Sequence, residues 1–387
     1  MQMPESLIIT HCKSIGSFPQ NMESSIVVKD GFITEIRQGH LRCRTGVIDV
    51  EGRTVAPGFI DVHIQGAGGA DVLDGTENAL KKMSRACARF GTTSFLATTV
   101  YKPGAENRHL EVAARCVGKK LGGAALLGIH LEGPFISVQK RGMISKECIC
   151  DPSENTLAHI EELTQGSLVI MTIAPELPGS LKIIERLAKT GVIASFGHSN
   201  ATYEEALNGF RAGITHVTHL FNAMPSLHHR APGPLLAIFK PDGPTVQIIP
   251  DGVHLDPRIL KFIFDLIDIQ RCVTITDGMQ AMGLADGTYV YNGMKYESKG
   301  GTARYMDGTL IGTTLGLIQM VLLLMEYTDC SLEDAVRTVT ENPARVLKID
   351  RRKGSIDLGK DADFVILDHD YSVWATIVDG RVVYRKK

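Results

Sequence analysis

A chain of 387 residues is long enough for one large domain with a small companion, and it can bury a substantial core without disulfides. With 41 Lys and Arg against 43 Asp and Glu and no block of one sign, it lacks the positive tract that follows a nucleic-acid backbone, so a small-molecule partner is expected. No apolar run reaches the ~18 residues of a membrane span, and the eight cysteines, of which only Cys148 and Cys150 lie close together, read as free thiols of a reducing, cytoplasmic compartment.

The first 55 residues read as short strands at 6–10, 25–29 and 32–36, with Asp30-Gly31 as a hairpin turn. In the middle of the chain the grammar changes to strand followed by helix. Leu80, Met83, Cys87 and Phe90 share a helical face that Gly91 can stop, and residues 92–100 then form a strand. Residues 126–131 are a strand, 181–188 a helix ending near Gly191, and 192–197 a strand. Thr202 with Glu205 makes a capping box for a helix reaching about residue 212, and a strand is expected over 215–221. Strands at 246–250 and 272–277 follow, then helices starting near Leu315 and Leu332. The chain closes on strands at 362–368, 374–378 and 381–384, with Asp379-Gly380 as a turn.

Repeated βα units over roughly 290 residues suit a closed parallel barrel or an open doubly wound sheet. The polar residues favour the barrel. His63, Glu132, His198, His219 and Asp277 each fall at or just past the carboxyl end of a separate strand, where barrel enzymes carry their chemistry. The expected fold is a (β/α)8 TIM-type barrel over residues 56–345, with a small β module built from 1–55 and 346–387, which brings the chain ends together.

Four segments carry chemistry. Residues 128–134, GIHLEGP, end an apolar strand in Glu132; residues 194–199, ASFGHS, and 215–222, THVTHLFN, end theirs at His198 and His219. Two histidines and one carboxylate with an open position form a recognised catalytic metal set. Each alone has a plain structural reading, a salt-bridged Glu or a packed His, but three separate elements delivering such groups to one rim argue for a cation. His130 shares the face of Glu132 and reads as a core histidine, while His216 points to the other side of its strand and is excluded as a ligand. The fourth segment, residues 274–278, TITDG, presents Asp277, a carboxylate suited to take a proton from a metal-bound water and return one to a leaving amine.

At these residues the sequence resembles the N-acetylglucosamine-6-phosphate deacetylases of the amidohydrolase superfamily over nearly its whole length. The resemblance rests on residues 56–63 (APGFIDVH), 130–134 (HLEGP), 196–199 (FGHS), 217–225 (VTHLFNAMP), 250–254 (PDGVH), Thr276-Asp277, 342–346 (NPARV) and 354–368. It implies a metal-centred barrel of the metal-dependent hydrolase kind with a small β-sandwich domain from both termini. It also implies removal of the acetyl group from N-acetylglucosamine 6-phosphate by a homodimer holding one divalent ion per subunit. Zinc is the expected ion, with iron, cobalt and manganese as alternatives. By the resemblance Glu132, His198 and His219 bind the metal, Asp277 is the general acid and base, and His254 contacts substrate near the acetyl carbonyl. Asn222, Ala223 and Arg230 meet the sugar phosphate, and Met143 with Leu310, Ile311 and Gly312 line the pocket.

Two departures stand out. Many superfamily members carry His-x-His after the first strand, whereas here His63 is followed by Ile64 and Gln65, so a full second metal site is in doubt and His63 is at most a weak ligand. Gly278-Met279-Gln280 also differs from the small residues expected after Asp277. The galactosamine epimer remains an alternative substrate and a barrel without chemistry an alternative role; cyclic-amide hydrolysis is disfavoured because Glu132 occupies the strand end where such enzymes bridge two metals through a modified lysine.

Overall fold

The computed structural model describes residues 6–15, 23–39, 41 and 46–386. Eight parallel strands form the central sheet: β1 (Phe59–Ile64), β2 (Thr92–Thr99), β3 (Ala125–Glu132), β4 (Leu168–Ile173), β5 (Ile193–Phe196), β6 (His216–Val217), β7 (Thr245–Ile248) and β8 (Cys272–Thr274). They lie side by side in chain order. Helices alternate with them, from α1 (Glu77–Ala88), α2 (Arg108–Cys116), α3 (Glu154–Thr164), α4 (Ser180–Thr190) and α5 (Tyr203–Ala212) to α6 (Leu235–Ile238), α7 (Pro257–Leu266) and α8 (Leu317–Thr328). Among the described residues, no helix is long and apolar enough to cross a membrane.

Local chemistry sets the helix ends. Thr76 caps α1 by accepting from the Ala79 amide, and Thr202 and Glu205 form the expected capping box on α5. Gly191 ends α4 with a φ of 85°, a conformation open to glycine without a Cβ penalty. The inner helix faces, such as Leu80, Met83 and Cys87 of α1, join one continuous apolar core between helices and barrel.

The barrel closes between β1 and β8 near its carboxyl end. There the Asp277 amide donates to the His63 carbonyl at 3.0 Å, the Gln65 and Gly66 amides both donate to the Gly278 carbonyl, and the Thr276 hydroxyl donates to Asp61 Oδ2 at 2.6 Å. Towards the other end the two strands part, and the Thr338–Val339 backbone fills the gap by accepting from the Ile60 and Thr274 amides. Asp61 is fully buried in this seam, and that burial pushes its carboxyl up to about 7.

Between β8 and α8 the chain makes four short antiparallel strands, Gly287–Tyr291, Met294–Lys299, Thr302–Tyr305 and Leu310–Thr313. The last returns to the barrel mouth, where the Thr313 amide donates to the Asp277 carbonyl at 2.9 Å.

The two ends of the chain share one eight-stranded sheet, in which Thr54–Pro57 pairs antiparallel with Phe364–Leu367 and parallel with the first strand, Ser6–Ser14. That first strand changes neighbours at a bulge around His11, whose φ is 55°: residues 8–10 pair with Val47–Asp49, and residues 13–14 with Thr54 and Val55. Bulges of this kind let a strand turn the corner between two layers. Ile9, Ile26, Val55, Phe364, Ile366 and Ile377 fill the space between them. The hairpin at Asp30-Gly31 forms as expected, both residues having positive φ as such a tight turn requires.

One strand is much shorter than its sequence pattern. The expected strand over 215–221 survives only at His216–Val217, because His219, Phe221 and Ala223 adopt φ of 26°, 72° and 53° and carry the chain out of the ladder. Seven cysteines are free thiols in the structure, and Cys43 lies outside the described residues.

Candidate metal centre and active site

Glu132 is the last residue of β3, and His198 and His219 follow the ends of β5 and β6 at the same mouth. Both histidines, and Asp277 beyond β8, hold φ values of 46°, 26° and 48°, which L-residues adopt at a cost of order 1–3 kcal/mol each. That cost turns each side chain from the strand direction towards one point. His198 Nε2 lies 2.9 Å from Glu132 Oε1, His219 Nε2 3.1 Å from the same oxygen, and the two Nε2 atoms are 3.0 Å apart.

These contacts fit a cation. Ligands held ~2.1 Å from zinc at tetrahedral angles stand about 3.4 Å apart, close to the spacing of this triangle. The Nδ1–H of His198 donates to the Lys140 carbonyl at 2.8 Å, a tautomer that turns its Nε2 lone pair inward and leaves it free to ligate. Two Nε2 atoms 3.0 Å apart beside one carboxylate oxygen repel if bare, and either protons donated to Glu132 or a cation among the three groups removes that repulsion. Glu132 is only 2 % exposed, and burial alone would raise its carboxyl. The nearby His63 and the hydrogen bonds from His198 and His219 nevertheless hold it well below the usual range. For His219, burial works downward, but the bond to Glu132 and its charge outweigh it and raise the imidazole. The site is a buried seat for positive charge. Among the described residues, Glu132, His198 and His219 are the one group of three such side chains able to hold an ion.

Asp277 stands beside this triangle. Its Oδ1 is buried with no protein hydrogen-bond partner and lies 3.4 Å from His63 Nε2, while Oδ2 is 3.7 Å from His254 Nε2. Burial raises its carboxyl, opposed by His254 and reinforced by the charge of Glu132. His254 is oriented by Asp251, whose Oδ2 accepts from Nδ1 at 2.6 Å, so Nε2 faces Asp277.

His63 is fully buried behind a chain of hydrogen bonds. Its Nδ1–H donates to Gln247 Oε1 at 3.0 Å, the Gln247 amide donates to His216 Nε2 at 3.1 Å, and His216 Nδ1–H donates to Thr245 Oγ1 at 2.7 Å. Gln247 also accepts from the His219 amide at 3.3 Å, tying the His63 tautomer to the backbone of a metal-facing histidine. His63 Nε2 therefore faces Glu132 and Asp277, at 3.6 and 3.4 Å. Gln65, where many superfamily members have a second histidine, reaches Glu132 Oε2 through its amide at 3.5 Å. His130 is a satisfied core residue, donating to the Val62 carbonyl and bonded to Thr172 Oγ1.

Of the remaining sequence candidates, Asn222 and Ala223 lie on the turn after His219, with the Ala223 carbonyl accepting from the Ser199 amide. Gly312 packs against the Asp277 carbonyl, with Leu310 and Ile311 before it on the same strand, and Met143 is half-buried against the same apolar group as Ile311. Arg230 is not gathered into this cluster: it is exposed on a loop, and its guanidinium bonds to His229 at 2.7 Å. Sequence reasoning passed over Gln247 and Asp251, although the Pro250-Asp-Gly-Val-His254 motif contains the second.

A parallel barrel with two histidines, a glutamate and an aspartate at its carboxyl mouth defines a metal-dependent hydrolase site. The model of the amidohydrolase family matches residues 54–383, and the chain belongs to that family. Within it, the chain is similar to N-acetylglucosamine-6-phosphate deacetylases. It is 38 % identical to the one from Bacillus subtilis over 335 residues, covering 86 % of this chain and 85 % of that protein, and 37 % identical to the Mus musculus protein over 352 residues, covering 87 % and 85 %. A solved structure of a mutant N-acetyl-D-glucosamine-6-phosphate deacetylase from Mycobacterium smegmatis, in complex with N-acetyl-D-glucosamine-6-phosphate, superposes with a TM-score of 0.90 at 30 % identity, covering 98 % of this chain and 99 % of that one.

Proposed function

We infer that this chain hydrolyses the acetamide of N-acetyl-D-glucosamine 6-phosphate, adding water across the C–N bond to give D-glucosamine 6-phosphate and acetate. The observation that carries this reading is the triangle of Glu132, His198 and His219 beside Asp277, in a chain 38 % identical to a deacetylase of that name. In this reading a divalent ion, zinc by default, is held by those three side chains and supplies an acidified water and polarisation of the acetamide carbonyl.

The protein's own groups do the rest. Asp277 accepts a proton from the attacking water and returns one to the departing amine, a role suited to a buried carboxylate whose Oδ1 has no protein partner. His254, held by Asp251, orients towards Asp277 and the acetyl carbonyl. His63 serves as a buried neighbour of Asp277, its Nε2 accepting from the Gln65 amide at 3.4 Å, rather than as a ligand of a second metal, since Gln65 supplies an amide where a second imidazole would be needed. Asn222 and Ala223, with Arg230 as their charged partner, face the sugar phosphate, and Met143 with Leu310–Gly312 lines the substrate pocket. The catalytic domain spans 56–345, and the chain works as a cytoplasmic homodimer, which size-exclusion chromatography with light scattering tests.

The deciding experiment is a deacetylation assay of the metal-loaded protein on the 6-phosphates of N-acetylglucosamine, N-acetylgalactosamine and N-acetylmannosamine and on the unphosphorylated sugars. The glucosamine phosphate is expected to give the highest kcat/KM. A higher value for either epimer, or none above background, overturns the assignment.

A further inference from the structure

The two histidines of the metal triangle are held in different ways. His198 is braced through its ring, whose Nδ1–H donates to the Lys140 carbonyl at 2.8 Å. His219 Nδ1 is buried and has no hydrogen-bond partner among the described residues, although ligating imidazoles are ordinarily steadied through the nitrogen that faces away from the ion. What steadies His219 is its main chain, and one residue supplies the bonds. Gln247, fully buried on β7, accepts from the His219 amide through its side-chain Oε1 at 3.3 Å and from the next amide, Leu220, through its carbonyl at 2.9 Å. Both bonds fall where the backbone leaves β6, at the residue whose φ is 26°.

The side-chain bond fixes more than the backbone. A main-chain N–H can only donate, so the atom of the Gln247 amide that faces His219 is the oxygen, and its NH2 is turned to His216 Nε2 at 3.1 Å. The same oxygen lies 3.0 Å from His63 Nδ1 and can only accept there, so that nitrogen carries a ring proton. His63 Nε2, the nitrogen facing Asp277 Oδ1 and Glu132 Oε1, is left as an acceptor, which the Gln65 amide meets at 3.4 Å. With the proton on Nε2 instead, His63 would donate to one of those carboxylates, and a hydrogen bond to the ionised form makes a carboxylate a weaker base and a poorer ligand.

We propose that Gln247 is a positioning residue for the metal centre: its one side-chain oxygen sets the backbone from which His219 reaches the ion and keeps the ring proton of His63 away from Asp277 and Glu132. The proposal rests on the reading of Glu132, His198 and His219 as the metal seat. Gln247 acts through two histidines, so its removal shows as weaker metal holding and slower turnover, not as weaker substrate binding.

The test uses zinc-loaded wild type, Gln247→Met and Gln247→Glu. Methionine keeps the length of the side chain and loses the acceptor, whereas glutamate keeps the acceptor. Zinc Kd is measured by competition with a chromophoric chelator, and the tautomer of His63 is read from the ring-nitrogen NMR shifts of histidine-labelled protein, its signals being those missing in His63→Gln. Wild type is expected to show His63 protonated on Nδ1. In Gln247→Met zinc Kd is expected to rise by about 10- to 100-fold and the Nδ1 form to be lost, with kcat at saturating zinc lowered and KM within about threefold of wild type. Gln247→Glu is expected to recover the Nδ1 form and a zinc Kd within about fivefold of wild type. Melting is checked for each, and Gln247→Leu replaces Gln247→Met if the latter does not fold. A wild-type His63 protonated on Nε2 overturns the proposal without any variant. So does an unchanged zinc Kd or an unchanged His63 tautomer in Gln247→Met, and so do equal losses in Gln247→Met and Gln247→Glu, which would mean that the acceptor oxygen is not what matters. Zinc that binds wild type and Glu132→Gln alike overturns instead the reading of the metal seat.

Discussion

Replacing Asp277 by asparagine keeps the shape of the side chain and removes its ability to accept a proton. The surroundings set the size of the effect. The metal-facing atoms of Glu132, His198 and His219 belong to other strands, so metal content is expected to match wild type. The new amide can donate to His254 Nε2, 3.7 Å from the present Oδ2, so the loop conformation is retained. Neither neighbouring imidazole is placed to take over fully: burial pulls fully buried His63 down to about 4, and His254 is committed to Asp251 through Nδ1. Loss of a general base is worth ~10²- to 10⁴-fold, about 2.7 to 5.5 kcal/mol in the barrier. The expected result is a fall of that size in kcat with KM within about threefold of wild type, in a continuous amine-release assay. Asp277 acts as a base only when ionised, so activity should fall as the pH drops through its raised folded value, and this limb should vanish in Asp277→Asn. A variant keeping more than about a tenth of the wild-type kcat would remove Asp277 from the proton-transfer role.

Other perturbations follow from the same geometry. Chelation should lower the melting temperature, since a bound ion at a hundred times its Kd contributes about 2.7 kcal/mol; Glu132→Gln should abolish the chelator-dependent shift, and a persisting shift would place the ion elsewhere. A Cβ at Gly312, where φ is 143°, would stand 2.4 Å from the Asp277 carbonyl, so Gly312→Ala should cost at least tenfold in kcat with the fold retained by circular dichroism. Burial pulls His216 down to about 3. Between pH ~6.5 and 3 the unfolded chain binds a proton there that the folded chain does not, so stability falls as the pH drops, by about 1.4 kcal/mol per unit from this residue. Metal-free His216→Gln should show a pH slope smaller by that amount in denaturant melts, and an unchanged slope would show that His216 is charged in the fold.

The elements written in strong periodic patterns were legible. The stripe of Leu80, Met83 and Cys87, the Thr202–Glu205 box and the Asp30-Gly31 turn each encode their structure within a few residues, and each appears in the fold. The residues that converge on the metal centre were legible because each ends an apolar strand in a polar group. Residues 215–221 misled because alternation marks a strand but does not show where the backbone leaves it, and His219 leaves it to aim its ring. The hairpins over 287–313 are marked by Asn292-Gly293 and Gly300-Gly301, signals that the βα grammar of the rest of the chain obscures. Gln247 was not legible at all: its partners His63 and His216 lie 184 and 31 residues away, and one glutamine in a strand has no pattern.

The sheet shared by the two ends has a consequence for how the chain is made. Pro57 pairs with Phe364, so strand Thr54–Pro57 emerges from the ribosome some three hundred residues before its antiparallel neighbour exists. At ~5–20 residues per second, this leaves an apolar edge bare for roughly 15 to 60 seconds while the barrel assembles behind it. A nascent chain halted before residue 364 should accordingly be captured by chaperones at its N-terminal strands, and released once the last twenty-odd residues are added.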